Sequence, residues 1–273
     1  MKKTLLIVAL LLAVNACTEA QVVVNSDYDK ELFKARVKLV EGFMRRFNGT
    51  EILHTIDTTQ SGYKQKNILS LFDGMLFGTR GENDSLYTLA NDFANDVLKY
   101  NTKLHNLDTA WFAVAPCHGK LKGKPVDFVL MLNTEKYDDD AYKWVIAKAQ
   151  GDIFKLTPSA VSNDILITPL AHETNFMELG RITTQKDDWI LNYKQRQYDL
   201  DETAVFFSLV NAGLLDIEYV KSLQFVFMQL PGWMFTIMDF DRETMNSGWL
   251  ITSFSKITDA EKKNILENVY HKK

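Results

Sequence analysis

Residues 111–154 read WFAVAPCHGKLKGKPVDFVLMLNTEKYDDDAYKWVIAKAQGDIF, and this stretch decides the fold. β-Branched and aromatic residues fill Trp111 to Cys117, Val126 to Glu135 and Tyr142 to about Phe154. Gly119-Lys120-Leu121-Lys122-Gly123 supplies one polar turn and Asp138-Asp139-Asp140 a tight acidic one. Such runs fit a half-buried pleated surface, and connections this short join only antiparallel neighbours. The stretch is predicted to be a three-stranded antiparallel meander.

Upstream the hydrophobic period lengthens. From Asp27, the apolar residues Tyr28, Leu32, Phe33, Val37, Val40, Phe43, Met44 and Phe47 recur at three- and four-residue steps, and Asn48-Gly49 supplies a stop. That spacing predicts one helix, with Asp27 or Asp29 as its cap. A short apolar segment, Ile68 to Phe72, lies between Asn67 and Gly74. A second long helix fits Ser85 to about Leu104, capped by Ser85 and striped by Leu86, Leu89, Phe93, Val97 and Tyr100.

Downstream, Pro158 to about Val220 is mixed, with short helices expected at Ala171–Gly180 and Glu202–Asn211 and polar residues from Gln185 to Asp201 joining them. Strands are expected at Leu223–Leu230, Trp233–Phe240 and Trp249–Phe254, followed by an exposed helix over Asp259–Tyr270 that Thr258 caps. The predicted class is α+β: N-terminal helices packed on one concave face of a bent, cone-like antiparallel sheet, with a helical insertion at about 158–220 before the last strands. No Gly/Ser/Pro linker, internal repeat or low-complexity tract divides residues 21–273, which are read as a single domain.

The start of the chain reads as an address. Lys2 and Lys3 precede an unbroken apolar run from Leu5 to Val14, after which small and polar residues follow. A charged start, about ten apolar residues and a small-residue exit make an export signal over residues 1–20, because a membrane-spanning helix needs roughly 20 apolar residues. Two exits fit. Val14-Asn15-Ala16-Cys17 resembles a bacterial lipobox, in which Cys17 becomes the acylated first residue; ordinary cleavage after Ala20 leaves Gln21 first. The protein is therefore expected outside the cytoplasm, lipid-anchored in the cell envelope or periplasmic or secreted. Any membrane contact is expected through Cys17 alone. In either case Cys117 lacks a disulfide partner and reads as a small buried apolar residue.

Composition excludes several classes. Of 273 residues, 46% are apolar and 24% charged, with Gly and Pro sparse, proportions that exclude disordered, collagenous and disulfide-dense chains. A net charge of −4 argues against nucleic acid as a partner, since that affinity rests on clustered cations facing phosphate.

The helix–short helix–helix–meander order resembles the nuclear transport factor two-like (cystatin-like) α+β cone. Phe43-Met44-Arg45-Arg46-Phe47-Asn48, Asn67-Ile68-Leu69-Ser70-Leu71-Phe72-Asp73 and Tyr142-Lys143-Trp144-Val145-Ile146 are similar to strings in uncharacterised exported proteins of Bacteroidales bacteria. The likeness covers roughly residues 27–155 and 222–256. It implies a fold and carries no catalytic residue across, because proteins of this shape include enzymes, ligand carriers and interaction modules.

Local motifs for chemistry are weak. His172-Glu173 with Glu178 would fan around a helix rather than share one face. Asp239, Asp241 and Glu243 begin like a calcium loop, but Thr244 stands where Gly should bend the chain and Leu250 where Glu should close it. Cys117 and His118 are adjacent on a strand, so their side chains point to opposite faces. Ser61-Gly62-Tyr63-Lys64 has the serine–lysine spacing of penicillin-binding enzymes without the companion motifs. No metal or cofactor is expected.

What remains is aromatic. Trp111, Tyr142, Trp144, Trp233 and Phe235 lie on predicted strands and are the candidate ligand pocket, where an apolar ligand or a sugar ring would be gripped. The competing reading of these rings is plain core. The sequence thus points to a non-catalytic envelope binding module for a small ligand or a protein partner. A hydrolase or isomerase using the cone, and a dimerising assembly module, are the alternatives.

Overall fold

Lys122 and Gly123 alone turn the chain between the first two strands. β1 (Trp111–Leu121) and β2 (Lys124–Asp138) pair antiparallel down to Leu121↔Lys124. The turn residues hold φ of 50° and 79°, the two-residue hairpin geometry whose twist matches that of the strands. Gly119, expected in the turn, instead lies inside β1. The computed structural model describes residues 40–77, 85–108, 110–138, 141–155, 201–242 and 246–270. The export signal with Cys17, residues 27–39 of the first predicted helix and the predicted helix Ala171–Gly180 lie outside the described residues.

The meander ends with β3 (Ala141–Gln150), which pairs antiparallel with β2. It stops short of Phe154, which sits in a one-turn 3-10 helix over Asp152–Phe154 and packs its ring on Phe128 and Phe206. Three later strands extend the sheet: β5 (Gln224–Phe227), β6 (Trp233–Phe240) and β7 (Gly248–Lys256). The order is β3-β2-β1-β5-β6-β7, every pairing antiparallel.

A seventh strand, β4 (Leu215–Val220), corrects the sequence reading. It pairs with Cys117–Leu121 on the same edge of β1 that β5 pairs with over Trp111–Val114. The described end of the predicted helical insertion is thus one helix and one strand of the sheet. Close approach explains Gly119: a Cβ there would stand 2.1 Å from the Asp216 carbonyl oxygen across the β1–β4 pair.

Five helices cover this sheet among the described residues: α1 (Val40–Phe47), α2 (Tyr63–Leu69), α3 (Ser85–Tyr100), α4 (Glu202–Asn211) and α5 (Asp259–Tyr270). Successive strand residues face opposite sides, so the clusters they join assign each helix to a face. Trp111 and Ala113 join Phe43, Phe47, Phe72 and Phe93 from the α1–α3 region. Ala115 and Cys117, further along the same face of β1, join Phe206 of α4. Phe112 and Val114 face the other way and pack with Ile265 and Val269 of α5. The N-terminal helices α1–α3 gather on one face as expected, whereas the expectation of an exposed last helix is corrected: α5 buries Ile265 and Val269 against the back of the sheet. Its start is a capping box, with Thr258 Oγ1 accepting from Glu261 N–H at 3.2 Å and Glu261 Oε2 accepting from Thr258 N–H at 2.9 Å.

The outer edge of β7 is partly closed by the chain after α2. Ile251 N–H donates to Leu71 O at 2.7 Å and Asp73 N–H to Ile251 O at 2.9 Å. A buried ion pair fixes the same corner, Arg242 Nη2 donating to Asp73 Oδ1 at 2.8 Å while the guanidinium lies 4.1 Å from the Phe240 ring centroid. Covered edges of this kind resist pairing with other chains.

Candidate functional site

A cleft of about 480 Å³ opens between the first turn of α1 and the β3 end of the sheet. Its sheet side is made by Trp111, Thr134, Tyr142, Trp144 and Phe225, its helix side by Val40, Glu41 and Met44, and its remaining wall by Asn106 and Leu107. Register explains why these rings meet. Trp144 pairs with Thr134 and Tyr142 with Lys136, so both aromatics project from the side of the sheet that carries Trp111.

The rings form a graded series from core to solvent. Trp111 is 4% exposed and stacks on Phe225 and Phe227, with centroids at 5.7 and 5.3 Å. Its indole Nε1 donates to Asn106 O at 3.2 Å, which ties the loop wall to the floor. Trp144 meets Trp111 edge-on at 4.9 Å and 69° and stands 5.9 Å from Phe225. Trp144 is 43% exposed and Tyr142 39%. Large rings left this open beside a packed aromatic floor are unusual for a face that is otherwise core, and such exposed apolar surface marks binding sites. The polar groups are few: the Thr134 hydroxyl, the Asn106 carboxamide, the exposed Glu41 carboxylate 4.0 Å from Arg45, and Lys143.

Trp233 and Phe235, read from the sequence as pocket candidates, lie elsewhere. Trp233 is buried beneath α3, where its Nε1 donates to Asp96 Oδ2 at 2.9 Å. Phe235 stacks on Phe47 at 5.7 Å and on Phe227 at 5.2 Å. Helices α1 and α3 cover this part of the sheet, so its aromatics become core, while Trp111, Tyr142 and Trp144 sit where that cover ends. Sequence reasoning missed Phe225, whose signal was alternation with Phe227 on one strand. It also missed Asn106 and Leu107, which no local pattern marks.

The remaining motifs do not gather into sites. Cys117 lies among Phe128 and Leu130, and burial pushes its thiol up to about 12. His118 faces the other side, its Nδ1 2.6 Å from Asp127 Oδ1 and its Nε2 3.9 Å from Glu218 Oε2. Lys221 Nζ reaches Asp127 Oδ2 at 2.6 Å, and hydrogen bonds from Lys221 and then His118 hold that carboxyl below the usual aspartate range. Ser61 and Lys64 are both exposed at the start of α2. His172, Glu173, Glu178 and Glu243 lie outside the described residues, among which no group of three or more His, Cys, Asp or Glu side chains is placed to hold a metal ion.

No helix among the described residues is long and apolar enough to cross a membrane. Compared with known proteins, the chain matches no family model, and no curated protein or solved structure shows significant similarity to it.

Proposed function

We propose that the chain is an exported cell-envelope binding module whose aromatic cleft takes a small ligand carrying an apolar or sugar ring. One observation carries this reading: Trp144 and Tyr142 stand open to solvent beside the packed Trp111–Phe225 floor. Ring faces of this kind gain from burying a flat apolar surface, and the neighbouring hydroxyl and carboxamide orient it. Export rests on Lys2, Lys3 and the apolar run to Val14, followed by acylation at Cys17 or cleavage after Ala20. The element order supports a nuclear transport factor two-like cone, with the cleft at its mouth.

Tryptophan fluorescence tests the binding claim, with indole as the apolar ring and methyl β-glucoside as the sugar ring. A saturable change is expected with at least one probe, and Trp144→Ala abolishes it without unfolding a chain that leaves this ring half open. A flat titration with both probes, or an unchanged one in Trp144→Ala, overturns the reading. Tyr142 and Trp144 also lie on the terminal strand of the sheet. That position favours a second reading, an assembly module docking through this edge, for which a concentration-dependent mass in solution is the expected sign.

A further inference from the structure

The open rings and the rim of the aromatic cleft share one electrical sign. Contacts with Trp111 at 4.9 Å and Phe225 at 5.9 Å hold Trp144 in place, while 43% of its surface stays open to solvent. Tyr142 lines the cleft beside it. The face of an aromatic ring is the negative pole of its quadrupole, so a cation within about 6 Å of the centroid is attracted, most strongly by Trp.

Across the cleft, on the helix side, stands the Glu41 carboxylate. Arg45 Nη1 meets it at 4.0 Å, the outer limit of an ion pair, because Arg45 Nε is engaged at 2.9 Å by Glu51. Arg45 does not line the cleft. Lys143 does, but it alternates along β3 with Tyr142 and Trp144, so its side chain leaves toward the other side of the sheet, where Glu135 is its neighbour in register. Lys136 shares the side of Tyr142 and lies outside the lining. A neutral ring gains only from stacking on Trp144 and Tyr142, whereas a ring bearing an ammonium group gains from the ring faces and from Glu41. An exposed carboxylate alone holds a cation weakly, and the adjoining aromatic faces are what make the cleft selective.

We propose that the ligand of the aromatic cleft is a cation, a small ring carrying an ammonium group. The inference rests on the reading of this cleft as a ring-binding site and adds the charge of what it binds. Aryl-ammonium compounds and amino sugars share the chemistry.

The test is a titration of the ¹⁵N-labelled protein followed by NMR at about pH 6, where the amines and Glu41 are both charged. Two matched pairs are the probes: benzylammonium with benzyl alcohol, and methyl β-glucosaminide with methyl β-glucoside. The readout is the Trp144 indole N–H signal, identified by its loss in Trp144→Ala. In at least one pair the cation is expected to shift this signal saturably and to bind about threefold to tenfold more tightly than its neutral partner. The pair that responds tells an aryl from a sugar ring. Glu41→Gln, at a site exposed enough to leave the fold intact, should narrow that preference about twofold or more. Equal binding within both pairs, or a preference unchanged in Glu41→Gln, overturns the charge of the ligand and leaves the ring-binding cleft standing. Silence with all four probes overturns both.

Discussion

Phe93 is the ring on which the helical layer and the sheet converge, and replacing it by Ala measures how firmly the two are joined. The side chain is fully buried in the middle of α3. It meets Trp233 at 5.2 Å, Phe235 at 5.3 Å, Phe72 at 5.4 Å, Phe254 at 6.1 Å and Phe47 at 6.3 Å, with interplanar angles between 72° and 86°. Phe→Ala in a closed core costs about 3–5 kcal/mol, the transfer of the ring plus the cavity it leaves. Five edge-to-face contacts, each worth about 0.5–1.5 kcal/mol beyond area in isolated pairs, place this site at the upper end. Phe207→Ala is the control: on α4, with its ring about half exposed, it should cost under about 1 kcal/mol. Urea unfolding followed by far-ultraviolet circular dichroism reads both variants. The Phe93→Ala midpoint is expected to fall well below that of Phe207→Ala with little change in slope. At about 2–4 °C per kcal/mol, the melting temperature should drop by roughly 6–20 °C. A Phe93→Ala variant as stable as Phe207→Ala would refute the reasoning, because the ring would then contribute nothing to the joint between α3 and the sheet.

Three further outcomes follow from the geometry. Gly119→Ala drives a Cβ to within 2.1 Å of the Asp216 carbonyl, so β4 must shift away from β1 at a cost of about 1–3 kcal/mol; hydrogen exchange should show Leu215–Val220 losing protection first. Cys117, its thiol raised to about 12 by burial, should resist alkylation in the folded protein at pH 8 and react once the protein is unfolded, as mass spectrometry of the labelled peptide would show. The Asp127 carboxyl is depressed by Lys221 and His118, so it contributes stability at neutral pH that is lost as the pH falls through its lowered value. Asp127→Asn should therefore be less stable than the parent near pH 7, the gap closing as the pH drops below the ordinary aspartate range of about 4. A gap that persists in acid would argue against the ion pair as its cause.

Much of the α+β architecture was legible because its signals are local. The boundaries of α4 and α5 are marked by Asp201, whose carboxylate accepts from Thr203 N–H at 3.0 Å, and by the Thr258–Glu261 box. Apolar runs rich in β-branched and aromatic residues marked β1, β2, β3 and β6. What could not be read locally is what a strand meets at long range. Leu215-Asp216-Ile217-Glu218-Tyr219-Val220 alternates cleanly, yet its partner on β1 lies 98 residues away where Lys120 meets Glu218. Gly119 looked like turn chemistry, although its role is to admit the Asp216 carbonyl. The same limit divides the aromatic candidates. Trp144 and Trp233 both sit on aromatic strands, and the end point of the helical cover leaves one half open and makes the other core.

Native against denaturing mass spectrometry of the protein purified from its own host tests the aromatic cleft most directly. A small mass that accompanies the folded chain, leaves on denaturation and is missing from Trp144→Ala is the predicted result. A bare chain in both conditions, or a companion mass that survives Trp144→Ala unchanged, would contradict it.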